Sequence, residues 1–72
     1  MPKLPALKPR EVIRALEKAG FHIDRQAGSH IQLKKGNLLV TVANHPKDLK
    51  PGTLRSILRQ ARLSQDEFLA LL

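Results

Sequence analysis

The chain predicts an α+β two-layer sandwich, because its hydrophobic period changes along the sequence. Apolar residues recur with a helical spacing before Gly20 and after Gly52, and alternate with a period of two between them. Each strand implied by that alternation has a single apolar face. Helices should therefore cover one face of a three-stranded antiparallel sheet and leave the other to solvent, in the order α-β-β-β-α with a short C-terminal helix. A chain of 72 residues is expected to build one core and one domain, residues 1–72.

Residues 1–8 contain Pro2 and Pro5 and have no periodic pattern, which predicts an irregular arm that orders on contact. Pro9 suits the first turn of a helix, where its missing N–H costs nothing, and Gly20 suits the residue just past the end. Between them Val12, Ile13, Leu16 and Ala19 fall on one side. Phe21 and Ile23 then alternate with His22 and Asp24, which predicts a half-buried strand ending near Gln26, followed by a turn at Ala27-Gly28-Ser29.

The second strand runs from His30 to Lys35, with Ile31 and Leu33 toward the core and His30, Gln32 and Lys34 away from it. Gly36-Asn37 signals a two-residue hairpin turn, and Leu38, Val40 and Val42 carry the core face of the third strand. That turn predicts a register in which Lys35 opposes Leu38, Leu33 opposes Val40, Ile31 opposes Val42 and His30 opposes Ala43. Residues 44–52 hold Pro46 and Pro51 and read as a loop. A second helix begins near Thr53 and buries Leu54, Ile57, Leu58 and Ala61. Ser64-Gln65-Asp66-Glu67 is a capping-box pattern that starts a last short helix through Phe68, Leu69 and Leu72.

Thirteen Lys and Arg against six Asp and Glu leave a formal charge of +7, so the long-range field attracts polyanions and makes nucleic acid the leading partner class. No apolar run approaches the ~20 residues of a spanning helix, which predicts a cytoplasmic protein with no membrane partner. There is no cysteine, which rules out thiolate chemistry, disulfides and Cys-containing zinc sites. The only aromatic residues are Phe21 and Phe68, so RNA contact through stacked bases is disfavoured and contact with phosphate and sugar favoured. The glycines are isolated and form no phosphate-cradling loop, and His22, His30 and His45 lack metal-ligand spacing, so neither cofactor nor metal is expected.

His30 is the leading candidate for chemistry. It starts the second strand on the uncovered face, directly after the small residues Gly28 and Ser29, where a polymeric substrate can approach. An accessible imidazole exchanges a proton near neutral pH, as cleavage of an RNA phosphodiester requires. On position alone an ordinary polar residue on a solvated strand face is the favoured reading. The register places Ser29, His30, Asn44 and His45 at one edge of the sheet, with His45 near Gly28. His45 is then either a second proton-transfer group or a structural residue bonding the loop before Pro46. Arg25, Lys34, Lys35 and Lys47, on the sheet or its border loops, are the candidates for phosphate. Arg55, Arg59 and Arg62 form a stripe on the second helix, and Arg10, Arg14 and Lys18 a similar one on the first; each reads as a solvated face or as RNA contact.

Gly20-Phe21, Arg25-Gln26-Ala27-Gly28-Ser29-His30, Val40-Thr41-Val42 with His45, and Gly52-Thr53-Leu54 through Ile57-Leu58 together resemble the HicA toxins of bacterial and archaeal toxin–antitoxin systems. The similarity spans Lys8 to Leu72, and the Gly-Ser-His segment following Gly-Phe is its most specific part. The resemblance implies a double-stranded-RNA-binding-domain-like fold and a metal-independent mRNA endoribonuclease that needs no ribosome. It also implies a catalytic histidine at His30 and a HicB-type antitoxin as partner. The alternative function is a non-catalytic RNA-binding module using the same surfaces; a DNA-binding subunit is weaker, because adjacent helices lack helix-turn-helix spacing. The chain departs from the family pattern at Ala43-Asn44, where relatives commonly have proline, and at Arg62, where they have glycine. The second departure removes the easy left-handed cap and is expected to lengthen or distort the helix end.

Overall fold

A computed structural model describes residues 4–72. Helix α1, Pro9–Lys18, begins with proline at its first position, and the Glu11 carboxylate accepts the Lys8 N–H at 3.1 Å. Its apolar side buries Val12, Ile13, Ala15 and Leu16. The chain leaves α1 through Gly20, whose φ of +104° is open to glycine at little cost, and where a Cβ would stand 3.2 Å from the Lys35 side chain. Phe21 follows and is buried.

Strands β1, His22–Ala27, β2, His30–Lys35, and β3, Leu38–Ala43, form one antiparallel sheet in the order β1-β2-β3. The β2–β3 register is the expected one at every position: Lys35 pairs with Leu38, Leu33 with Val40, Ile31 with Val42 and His30 with Ala43. Ile31, Leu33, Val40 and Val42 are buried with residues of α1, α2 (Pro51–Ala61) and α3 (Gln65–Leu69) in a single apolar cluster. Each such side chain contributes roughly 1.5–3 kcal/mol by leaving water. The helices lie on one face, and the α-β-β-β-α order with its short last helix is the predicted one. No helix among the described residues is long and apolar enough to cross a membrane.

β1 departs from the expected pattern. It runs on to Ala27, which leaves Gly28-Ser29 as a two-residue turn, and all of its residues are exposed. Ile23, expected in the core, is 47% exposed, because the apolar layer supplied by the helices stops at β2. Asp24 has no partner in the ladder; it is the extra residue of a bulge between Ile23, opposite Leu33, and Arg25, opposite Gln32. Without the bulge the two-residue period would put Arg25 on the same face as Ile23. With it, Arg25 joins the open face.

The N-terminal segment is irregular over its described part, residues 4–8, but it is fastened to the fold rather than waiting for a contact. Leu7 is buried, and its carbonyl accepts the N–H of Leu49, itself buried, at 2.8 Å. Residues 1–3 of the expected arm lie outside the described residues. α2 starts at Pro51, two residues before the expected Thr53, because Pro51 takes the same first-turn position as Pro9. Its Gln60 side chain accepts the outward N–H of Thr41 at 3.2 Å and so covers part of the free edge of β3.

The end of α2 corrects another expectation. The helix is neither lengthened nor distorted at Arg62, which itself adopts the left-handed conformation with φ 56° and ψ 39°. Ser64 then caps α3: its hydroxyl accepts the Glu67 N–H at 3.0 Å, and the Glu67 carboxylate accepts the Ser64 N–H at 3.0 Å. Phe68, fully buried, anchors that helix to the core. The Ser64 backbone N–H and then the Ser64 hydroxyl hold the Glu67 carboxyl below its usual value; desolvation opposes them, and the charge of Lys35 adds a smaller lowering effect.

Two outcomes follow for stability. Arg62→Gly removes left-handed strain and should raise stability by roughly 0.5–1 kcal/mol, a rise of a few degrees in Tm. Because the folded-state pKa of Glu67 is depressed, its contribution is present above the unfolded value of 4.5 and is lost as pH falls below it. Thermal melts of wild type and Glu67→Gln should therefore differ at pH 7 and converge on acidification, the wild type losing more.

Candidate active site

Paired residues on adjacent antiparallel strands face the same way, so the register arranges the open face in rows. The first row is Ala27, His30 and Ala43; the second Arg25, Gln32 and Thr41; the third His22, Lys34 and Leu39. His30 thus opens the central strand with a methyl group on either side. The imidazole is exposed, and no hydrogen bond to it is found among the described residues. A ring so placed is accessible to substrate from above and is oriented by no carboxylate.

The turn preceding it is set by Gly28, whose φ is +60°. Nothing lies within 4 Å of a Cβ built there, so glycine is required by the backbone conformation and not by lack of space. The Gln26 amide braces the turn by donating to the Gly28 carbonyl at 3.3 Å. Ser29 is exposed beside His30, and its carbonyl accepts the Asn44 N–H at 2.6 Å, which extends the ladder one residue past Ala43. Gly28, Ser29, His30 and Asn44 are therefore held together at one end of the sheet.

His45 is one residue further on and borders two surface grooves. One, of about 300 Å³, is lined by Lys8, Arg10, Asn44, His45 and Pro46. The other is lined by Ala43, His45, Pro46, Lys47, Asp48, Leu49, Lys50 and Thr53. Gly28, Ser29 and His30 line neither. Sequence reasoning missed the first groove: Lys8 was part of the arm and Arg10 part of a helix stripe, and the Leu49–Leu7 hydrogen bond that brings them to His45 joins distant segments.

The four phosphate candidates separate. Arg25 stands one row from His30 and has no acidic partner among the described residues. Lys34 is two rows away, with its ammonium 3.5 Å from the half-exposed Asp24 carboxylate, a pair weakened by solvent. Lys35 is not on the open face. Its ammonium donates to the Ala19 carbonyl at 2.7 Å, at the C-terminal end of α1, and lies 5.9 Å from the centre of the Phe21 ring. Lys47 is exposed in the loop before α2 and lines the second groove together with Ala43 of the His30 row. His22 shares the far row with Lys34. Among the described residues no three His, Asp or Glu side chains gather into a metal-holding cluster.

Among the described residues the paired positions of the face carry two imidazoles, His22 and His30, and two cations, Arg25 and the Asp24-paired Lys34, beside five neutral side chains, and the unpaired Arg25 next to His30 suits a phosphate. No curated protein matches the chain. The family described as HicA toxin of bacterial toxin–antitoxin matches residues 9–63, from the start of α1 to just past α2, and so takes in the whole sheet and the turn carrying His30. With more than half of its length matched, the chain belongs to the HicA toxin family.

Proposed function

We propose that the chain is the endoribonuclease toxin of a type II toxin–antitoxin pair, cleaving mRNA in the cytoplasm through His30 and held inactive by a HicB-type antitoxin. The observation that carries this reading is the exposed imidazole of His30 between two alanines on the open face, one row from the unpaired Arg25.

His30 takes the proton of a ribose 2′-hydroxyl, and the oxygen attacks the adjacent phosphorus. The bond to the 5′-oxygen breaks, leaving a 2′,3′-cyclic phosphate and a free 5′-hydroxyl. The leaving oxygen takes up a proton, from water or from the imidazolium just formed. Arg25 offers a planar set of donors to the phosphate oxygens as charge develops there. The nucleophile belongs to the substrate, so the reaction needs no metal-activated water. General-base catalysis of this kind supplies on the order of 10²–10⁴-fold in rate. The His30 ring lacks an orienting partner, and this favours the rival reading, a module that binds RNA by shape and charge without cutting it.

The two separate in one assay. Wild-type protein in EDTA should cleave a long single-stranded RNA to cyclic-phosphate or 3′-phosphate ends. His30→Ala should lose about 10²–10⁴-fold in rate while changing stability by less than ~0.5 kcal/mol and keeping most RNA affinity. Equal cleavage by both proteins would remove His30 from the mechanism, and RNA binding without cleavage by either would establish the binding module.

A further inference from the structure

The groove beside His45 shares Asn44 with the corner that holds Ser29 and has a composition of its own. Lys8, Arg10, Asn44 and His45 supply its polar lining, and no carboxylate lines it. Neither Lys8 nor Arg10 has an acidic partner among the described residues, where the ion pair found is Lys34 with Asp24. The nearest acidic residue in the chain, Glu11, turns its carboxylate to the Lys8 backbone N–H. Two permanent positive charges, a carboxamide and an imidazole thus face one open space of about 300 Å³, large enough for a phosphodiester.

The groove is also held in place relative to His30. The Leu49 N–H bond to the Leu7 carbonyl ties the segment leading into Lys8 to the loop that follows His45. The Asn44 N–H bond to the Ser29 carbonyl ties the start of that loop to the residue preceding His30. Asn44 therefore borders both the groove and the His30 corner. A strand that runs from His30 off this end of the sheet passes Ser29 and Asn44, and Asn44 lines the groove.

We infer that the groove binds a backbone phosphate of single-stranded RNA flanking the one at His30, with Lys8 and Arg10 as its charged ligands. The direction of the strand rests on the reading of His30 as the cleavage site; the phosphate-binding role of the groove does not. Such a contact is blind to base identity and sets where along the strand the reactive phosphate comes to rest.

The test is fluorescence anisotropy of a labelled single-stranded RNA across a salt series, with all proteins in the His30→Ala background so that the probe stays intact. Lys8→Gln with Arg10→Gln should weaken binding about tenfold at low salt and flatten the log–log salt slope by roughly one to 1.4. Lys8→Arg with Arg10→Lys should keep the affinity. Arg55→Gln with Arg59→Gln removes the same charge from the exposed side of α2 and should cost less than about threefold. Equal losses from the two glutamine pairs, or none from Lys8 and Arg10, would overturn the groove as a site. That failure is distinct from failure of the nuclease reading, which shows only as absence of cleavage by the wild type.

Discussion

The two-residue turn at Gly36-Asn37 is the constraint on which the rest depends. It makes Lys35 oppose Leu38, and because strand side chains alternate, every later pair is then determined: Leu33 with Val40, Ile31 with Val42, His30 with Ala43. A slip by one residue would bury His30 and Gln32 and expose Ile31 and Leu33. The hydrophobic match that stabilises the hairpin is thus the same condition that sets His30 on the open face. Core packing and site position are one outcome here, and the alanines on either side of His30 keep that position accessible.

A second device acts on the edge strand. The bulge at Asp24 shifts the phase of β1, so that Arg25 lies on the side of His30 while Ile23 stays on the side of Leu33. It also places Asp24 where it can meet Lys34, which leaves Arg25, one row from His30, without an acidic partner among the described residues. Ile23 remains half exposed because the buried apolar cluster takes in no residue of β1.

What could be read from the sequence follows from how local the cause is. The hairpin register, the proline start of α1 and the Ser64–Glu67 capping box depend on residues within a few positions of one another, and each is present as expected. The features that could not be read depend on distant contacts. Lys35 sits among cations in the chain but bonds the end of α1, sixteen residues away. Leu7 and Leu49 come from segments without periodicity, so their burial leaves no pattern. The bulge is likewise silent, since Phe21 to Gln26 alternates acceptably without it. The candidate site is correspondingly divided: His30, Ser29, Gly28 and Asn44 were placed together by register, whereas the surroundings of His45 came only with the tertiary fold. Family membership adds the toxin assignment, and the chemistry assigned to His30 rests on the exposed face and its charge.

RNA is proposed to bind the open face of the sheet at the His30 end and the groove beside His45, not the helix positions Arg14, Lys18, Arg55 and Arg59. The most direct measurement is an NMR titration of ¹⁵N-labelled His30→Ala protein with a short single-stranded RNA, following every backbone amide. The largest shifts are expected at residues 25–32 and 43–45, with further shifts at Lys8 and Arg10 and small changes at Arg14, Arg55 and Arg59. Shifts concentrated on the outer faces of α1 and α2, with the amides around position 30 unmoved, would contradict it.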